Sequence, residues 1–482
     1  MNKPIRNLYL VVVGMFALLL GFTSWWTVFN DEPLRTSAQN NRDLIRAERV
    51  PRGKIVAADG TVLARSVGKK SRSTSNRIYE RRYPKGADYV APVGLSDVNL
   101  GQSGLERSQN EWLSGKAVKL ATAVDRLIQG DQRGDDVQIT IQPKVQEAAI
   151  NGLAGRPGAV VAMDPTTGRI LAMASVPGFD PNKAIEDPSY RGTLKDGAES
   201  NRTTQGAYPP GSTFKVVTAA AALDTGKYTP DTTIDGSNGQ VFSGTPLGNF
   251  GGESPGPVSL RYALTHSINT AFGNVSEELG ASTLQRYMSR FGFGEPPPLD
   301  YPASQLRPSG AFLGGQRGFV PATSRQVDIA RLGIGQDKLQ VTPLQMAMVA
   351  SAVANDGKLM EPQLVEKIVD ADGRVQKEVE PKQLRRVMKA SSAQELQSMM
   401  GDVVNEGTGT ASALEGIATG GKTGTAELGD PADGINDLWF IGFAPLDDPK
   451  VAVAVVVERT PGQGGAVAAP IAKQVMQAAL GS

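Results

Sequence analysis

Three short groups of residues could do chemistry. The first is Ser212-Thr213-Phe214-Lys215, placed between Tyr208-Pro209-Pro210-Gly211 and the alanine-rich run 216–223. The prolines and the glycine stop any preceding helix, so Ser212 stands at the cap or in the first turn of a new one. Lys215, three residues on, projects from the same face. A serine hydroxyl needs a partner to take its proton, and a partly desolvated lysine can be that base. The helix N-terminus also favours negative charge developing at that point. Taken alone, Ser-x-x-Lys is more often an N-cap beside a solvated lysine.

The second group is Thr265-His266-Ser267-Ile268-Asn269, at the end of a helical stretch over 258–264. Ser267 and Asn269 lie on one side of a tight loop and offer a hydroxyl and an amide, either to relay a proton or to hold a substrate amide. The plain alternative is a corner between helices, capped by Ser and Asn. His266 is the chain's only histidine, so a Ser-His-Asp triad would have to run through it. A lone histidine beside a helix is more often structural.

The third group is Lys422-Thr423-Gly424 within Gly420–Glu427, the most specific of the three. It overlaps Gly416-Ile417-Ala418-Thr419-Gly420-Gly421-Lys422-Thr423, which matches the phosphate loop of nucleotide hydrolases. That loop must follow a strand and open a helix. Here the helix-like Ser412–Glu415 precedes it and Gly429-Asp430-Pro431 breaks any helix after it, so the match is a decoy.

The elements that position these groups follow from length and pattern. A chain of 482 residues suggests two to four domains. It carries 50 Lys and Arg against 49 Asp and Glu, so it lacks the basic excess of a nucleic-acid binder. It has no cysteine, which excludes disulfides, thiolate metal sites and a cysteine nucleophile, and with one histidine a multi-histidine metal site is impossible. From Leu8 to Phe29 no residue is charged, a run long enough to span about 30 Å of hydrocarbon. Lys3 and Arg6 precede it, and Asp31 and Glu32 follow, which predicts a cytoplasmic N-terminus. Ending in Trp-Trp-Thr-Val-Phe, it makes a poor cleavage site and reads as an uncleaved anchor. Residues 31–135 are polar, with a hairpin expected about Asp59-Gly60, and read as a stalk or pedestal. From 136 the apolar density rises. Strands are expected at 137–141, 158–163, 169–173, 438–443 and 451–458, with helices over 142–153 and 470–480. Strands at both ends with helices between imply one domain closed by its own termini.

Taken in order, Ser212-x-x-Lys215, Ser267-x-Asn269 and Lys422-Thr423-Gly424 resemble the penicillin-binding proteins, specifically the class B, monofunctional transpeptidases. Arg52-Gly53-x-Ile55 with Gly60-x-x-Leu63-Ala64, Arg81-x-Tyr83-Pro84-x-Gly86 and Gly101-x-x-Gly104-Leu105-Glu106 are similar to the boxes of that family's pedestal. Ala57-Ala58-Asp59 departs from the family's Asp-Arg-Asn, which leaves open whether the pedestal keeps the salt bridges of that box. Asn201-Arg202, Gln205-Gly206 and Tyr208–Lys215 look most like the penicillin-binding protein A group of actinobacteria.

The resemblance implies an α+β fold of the penicillin-binding-protein and serine β-lactamase kind: an antiparallel sheet flanked by helices, plus an all-helical part. It implies an anchor over 1–30, a small β-rich pedestal over 31–135 and a transpeptidase domain over 136–482. Ser212 would attack the penultimate D-Ala carbonyl of a D-Ala-D-Ala stem peptide, with Lys215 as base. Ser267 would relay the proton, Asn269 would hold the peptide amide and Lys215, and Lys422 would supply positive potential. Thr423, Gly424 and Thr425 would bind substrate, and the backbone N–H groups of Ser212 and Thr425 would form the oxyanion hole. A neighbouring stem amine would resolve the acyl-enzyme, and β-lactams would trap Ser212. No cofactor or metal is implied. The partners implied are lipid-linked nascent glycan and a RodA/FtsW-type membrane glycosyltransferase, with no nucleic acid. The alternatives are a D,D-carboxypeptidase, a β-lactamase, or a non-catalytic β-lactam sensor or scaffold. A bifunctional glycosyltransferase would need more chain before the serine domain than 31–135 provides.

Overall fold

The computed structural model of the chain describes residues 3–28, 50–70, 77–116, 133–315, 318–428 and 434–481. Phe29, the acidic pair Asp31-Glu32, the turn Gly429-Asp430-Pro431 and the pedestal stretches 31–49 and 117–132 lie outside the described residues. Helix α1 (Lys3–Val28) contains a solvent-exposed stretch, Pro4–Trp25, of 22 residues and mean hydropathy 2.0. An apolar helix of that length is long enough to cross a bilayer.

The chain then builds its first sheet. β1 (Ile55–Val56) and β2 (Val62–Lys70) form the expected hairpin, where Asp59 accepts from the Thr61 N–H at 2.9 Å. β3 (Arg77–Arg82) pairs antiparallel with β2, and β4 (Asp136–Ile139) pairs parallel with β1 in the register Ile55↔Val137. After α2 (Pro143–Leu153) comes the hairpin of β5 (Gly158–Met163) and β6 (Ile170–Val176). A largely helical part follows, including α3 (Lys215–Asp224), α4 (Leu260–Thr265), α5 (Asn269–Leu279) and α6 (Pro343–Ala354). β7 (Val365–Val369) and β8 (Val375–Glu378) return to the first sheet and give it the order β8-β7-β4-β1-β2-β3. Pedestal strands and strands from far along the chain therefore share one sheet. Helix α7 (Ala390–Asn405) precedes β9 (Gly420–Glu427), β10 (Ile435–Ala444) and β11 (Val451–Pro461), and the chain ends in α8 (Gly464–Leu480). These last strands complete an antiparallel second sheet of order β9-β10-β11-β5-β6.

The second sheet is buried on both faces, which explains the unbroken apolar run of β11. Ala452, Ala454 and Val456 join the main core with α6, while Val451, Val453, Val455 and Val457 join a second core with α2 and α8. Helix α6 is buried all round, as its uniformly apolar sequence demands.

Two expectations are corrected. Helix α8 begins at Gly464, not at Pro470. Pro470 removes one ladder hydrogen bond, but buried Ala468, Ala469, Ile471 and Ala472 tie both sides of it into the core, and packing overrides the local breaker. Val258 lies in the strand Pro257–Ser259 rather than in a helix; α4 starts at Leu260, where Ser259 Oγ caps the Tyr262 N–H at 3.1 Å.

The three pedestal boxes converge on one carboxylate. Glu106 is fully buried and receives Arg52 Nη2 at 2.8 Å and Arg81 Nε at 2.5 Å. Burial alone would raise the Glu106 pKa, but the two guanidinium groups outweigh it and leave it below the ordinary carboxylate value. The pedestal thus keeps a buried ion network although Ala57 and Ala58 carry no charge, with Ala57 packed in the core instead.

Candidate active site

Gly211–Phe214 form one 3₁₀ turn that runs straight into α3. Ser212 lies inside this turn, with Pro210 at its cap and Phe214 at the cap of α3, so a plain capping role does not account for it. The turn is held from several sides. The Tyr208 backbone pairs with Val341 at 3.1 and 2.8 Å, and Trp439 Nε1 donates to the Pro209 carbonyl at 3.0 Å. The Gly211 N–H donates to Gly335 O at 2.9 Å. Gly211 has φ +53°, and a Cβ there would lie 2.7 Å from the Thr425 carbonyl. Glycine is therefore required, and the serine turn is pressed directly on β9.

The second group is the break between α4 and α5. Ser267 has φ +61°, a conformation that costs a non-glycine residue about 1 kcal/mol or more. Hydrogen bonds hold it there: Ser267 N–H to Leu264 O at 3.3 Å, and Ile268 N–H to Ala263 O at 2.9 Å. The strain turns the hydroxyl toward both lysines. Lys215 Nζ donates to Ser267 O at 2.8 Å, lies 3.2 Å from Ser267 Oγ, and donates to Asn269 Oδ1 at 2.7 Å. Lys422 Nζ reaches Ser267 Oγ at 3.0 Å and the Thr423 carbonyl at 3.0 Å. One hydroxyl is thus shared by two lysine amines.

Both lysines are fully buried. Burial, and then the charge of Lys422, hold the Lys215 pKa well below its ordinary value. Burial brings Lys422 down to about 7. Among the described residues no group of three or more His, Asp or Glu could hold a metal ion.

A cleft of about 580 Å³ opens above this network, lined by Ser212, Ser267, Asn269, Thr423, Gly424 and Thr425. All eight predicted site residues therefore meet at one place, with Lys215 and Lys422 beneath its floor. β9 is the edge strand of its sheet, so its outer side is open to an extended peptide. His266 is on the wall, where its ring packs against Tyr262 at 4.1 Å between centroids rather than bonding to Ser212, Lys215 or Ser267. Gly416–Thr423 runs into β9, whereas a phosphate loop would open a helix. Sequence reasoning missed Thr408, which lines the cleft and whose Oγ1 lies 2.6 Å from Thr423 Oγ1. It also missed Arg331, which donates to the carbonyls of Thr245 and Pro246 at 3.2 and 3.0 Å and so fastens the hairpin 240–247 to the cleft wall.

A family model described as the penicillin binding protein transpeptidase domain matches residues 158–477. This chain belongs to the penicillin-binding protein transpeptidase family. A second model, described as the penicillin binding protein A dimerisation domain, matches residues 52–137. The peptidoglycan D,D-transpeptidase PbpA of Mycolicibacterium smegmatis is 38% identical, covering 100% of this chain and 99% of that protein. Penicillin-binding protein A of M. tuberculosis, solved as a penicillin G acyl-enzyme complex, superposes with a TM-score of 0.79 at 33% identity, covering 89% of this chain and 100% of that one. A D,D-transpeptidase domain from Eggerthella lenta gives a TM-score of 0.77 at 34% identity, over 90% of this chain and 99% of that one.

Proposed function

We propose that this penicillin-binding protein cross-links peptidoglycan, with Ser212 as nucleophile and Lys215 as its base. One observation carries the reading: a fully buried lysine with a depressed pKa, Lys215, bonded to Ser267 and Asn269 beneath the cleft that Ser212 lines. A lysine so placed is readily neutral, and a neutral amine can accept the Ser212 proton. Ser212 Oγ then bonds the penultimate D-Ala carbonyl carbon, with the oxyanion received by the Ser212 and Thr425 N–H groups. As the C–N bond breaks, the proton passes through Ser267 Oγ to the departing D-Ala amine. An amine from a neighbouring stem attacks the ester next and frees Ser212. β-Lactams follow the first half of this path and stop at the ester. The anchor would occupy 1–30, the pedestal 31–135 and the transpeptidase domain 136–482. Lys3 and Arg6 before the apolar helix support a cytoplasmic N-terminus, with the catalytic domain outside. The glycan substrate would come from a RodA/FtsW-type membrane polymerase.

The test is product analysis. Incubated with nascent glycan carrying D-Ala-D-Ala stems, the protein should yield cross-linked dimers and release D-Ala. Release of D-Ala without dimers would replace transpeptidation by carboxypeptidation.

The pH dependence has a definite sign. Acylation needs neutral Lys215, so its rate should climb as pH rises through a pKa well below the ordinary lysine value. Burial is the larger cause of that depression and the Lys422 charge the second. Lys422→Gln should therefore move the rising limb of the acylation profile to higher pH, whatever it does to the plateau. An unmoved limb would show that the two lysines are not coupled.

A further inference from the structure

We infer that Glu458, near the end of β11, is a positioning residue for Ser212 and acts through the Tyr208 hydroxyl. This deepens the transpeptidase reading and rests on it. Neither Glu458 nor Tyr208 lines the cleft. Glu458 Oε1 receives two donors, the Tyr208 hydroxyl and Arg202 Nε, the latter at 2.8 Å. Arg202 is buried and is itself fixed. Its Nη1 donates to the carbonyls of Pro177 and Gly197, both at 3.3 Å, and its Nη2 to that of Asp196. The Glu458 backbone N–H donates to Pro157 O at 2.8 Å. The carboxylate is therefore held against a fixed charge, on a strand inside the sheet. Tyr208 is buried too. Burial, and then the Glu458 charge, hold its pKa above the ordinary phenol value, so the hydroxyl stays a donor at any working pH.

The serine turn needs such an anchor because of its own sequence. Residues 209 and 210 are both proline, so neither has an N–H to fix the chain that enters the turn. The Pro210 carbonyl is spent inside the turn, on Thr213 Oγ1 at 2.7 Å. The backbone bonds to Gly335 and Val341 tie the turn to the segment 335–341, not to the sheet. Among the described residues, two side-chain hydrogen bonds tie it to the sheet. Trp439 Nε1 on β10 holds the Pro209 carbonyl, and Glu458 on β11 holds Tyr208. The Tyr208 ring also meets the Trp439 indole edge-on, 6.0 Å between centroids. The turn is thus fixed to two adjacent strands of the sheet whose edge strand, β9, carries Lys422, Thr423 and Thr425. Without the Glu458 bond the Tyr208 ring is free to slide on Trp439, and Ser212, four residues on, moves with it. A reacting oxygen misplaced by about 1 Å costs about a hundredfold in rate, although the binding surface is unchanged.

The experiment follows acylation by nitrocefin in stopped flow, which separates the dissociation constant of the initial complex from the acylation rate at saturation. Tyr208→Phe deletes only the hydroxyl. It should slow acylation about tenfold and leave the dissociation constant within about twofold of wild type. Glu458→Ala should do the same, and the double variant should be no slower than the slower single one, because both remove the same bond. Glu458→Gln keeps an acceptor for the phenol and should restore most of the rate. A merely structural role would lower the melting temperature and the fraction that reacts, and leave the rate of the reacting fraction unchanged. A wild-type acylation rate in Tyr208→Phe, or a change confined to the dissociation constant, would overturn the assignment. So would a double variant that shows the product of the two single effects. A wild type that acquires no acyl group on Ser212, read by mass spectrometry of the labelled peptide, would instead sink the nucleophile reading, and Glu458 with it.

Discussion

Ser212→Ala will not be labelled by a fluorescent penicillin, and it will fold as the wild type does. The first half follows from chemistry. On the proposed mechanism the label would be an ester on Ser212 Oγ, and among the described residues no other cleft hydroxyl stands on a turn pressed against β9 with a buried lysine one turn away. Removing a nucleophile of this type costs at least about a thousandfold in rate, so residual labelling should fall below detection. The second half follows from the geometry. Ser212 occupies no cap position, and the turn is held by Tyr208, Pro209 and Gly211 through backbone groups. Loss of one free hydroxyl should change stability by no more than about 0.5 kcal/mol. Lys215 keeps Ser267 and Asn269 as partners in the variant, so the buried network survives. The measurement is gel fluorescence of both forms beside their melting curves. Equal labelling of wild type and variant would remove Ser212 from the mechanism.

The eight candidate site residues were legible because each lies in a short contiguous motif with a local signal. Proline and glycine announced the Ser212 turn, and the order of three motifs distinguished them from chance. What sequence could not supply was their meeting at the Ser267 hydroxyl, because that depends on a positive φ at a serine. Thr408 was invisible for the opposite reason. Gly407-Thr408-Gly409 looks like an ordinary loop, and its place beside Thr423 arises only when β9 closes on it. The strands were legible from alternation and good turns, including the hairpin about Asp59-Gly60. Pro470 misled because a helix breaker is a local rule and the core around α8 is not local. The first sheet escaped sequence reasoning in the same way, since β7 and β8 join pedestal strands across most of the chain. The boxes holding Arg52, Arg81 and Glu106 were each visible, but not that all three side chains share one burial site.

That burial site supports the second large effect. Glu106→Gln should destabilise the protein by about 3–5 kcal/mol, because it leaves two buried guanidinium groups without their charge partner. The amide fills the same volume, so the loss is electrostatic rather than a cavity. Arg52 keeps Asn110 at 2.7 Å and Arg81 keeps the Gly53 carbonyl at 2.7 Å, but neither partner is charged. The pH behaviour gives a second reading. Glu106 has its folded pKa depressed, so its stabilisation is fully present above the unfolded carboxylate value and is lost as pH falls through the lower folded value. Wild type should lose stability across that acid window, and Glu106→Gln should lose less there, having no proton to take up. Urea midpoints at neutral and acid pH measure both. Penicillin labelling of the folded variant should survive in the cold, since neither Glu106 nor its two arginines line the Ser212 cleft. Replacing all three residues by apolar side chains of similar size should cost less than Glu106→Gln alone, because no charge is then left buried. An unchanged urea midpoint in Glu106→Gln would mean that the triad contributes nothing and that the apolar contacts of Ile55, Leu63 and Leu105 hold the pedestal by themselves.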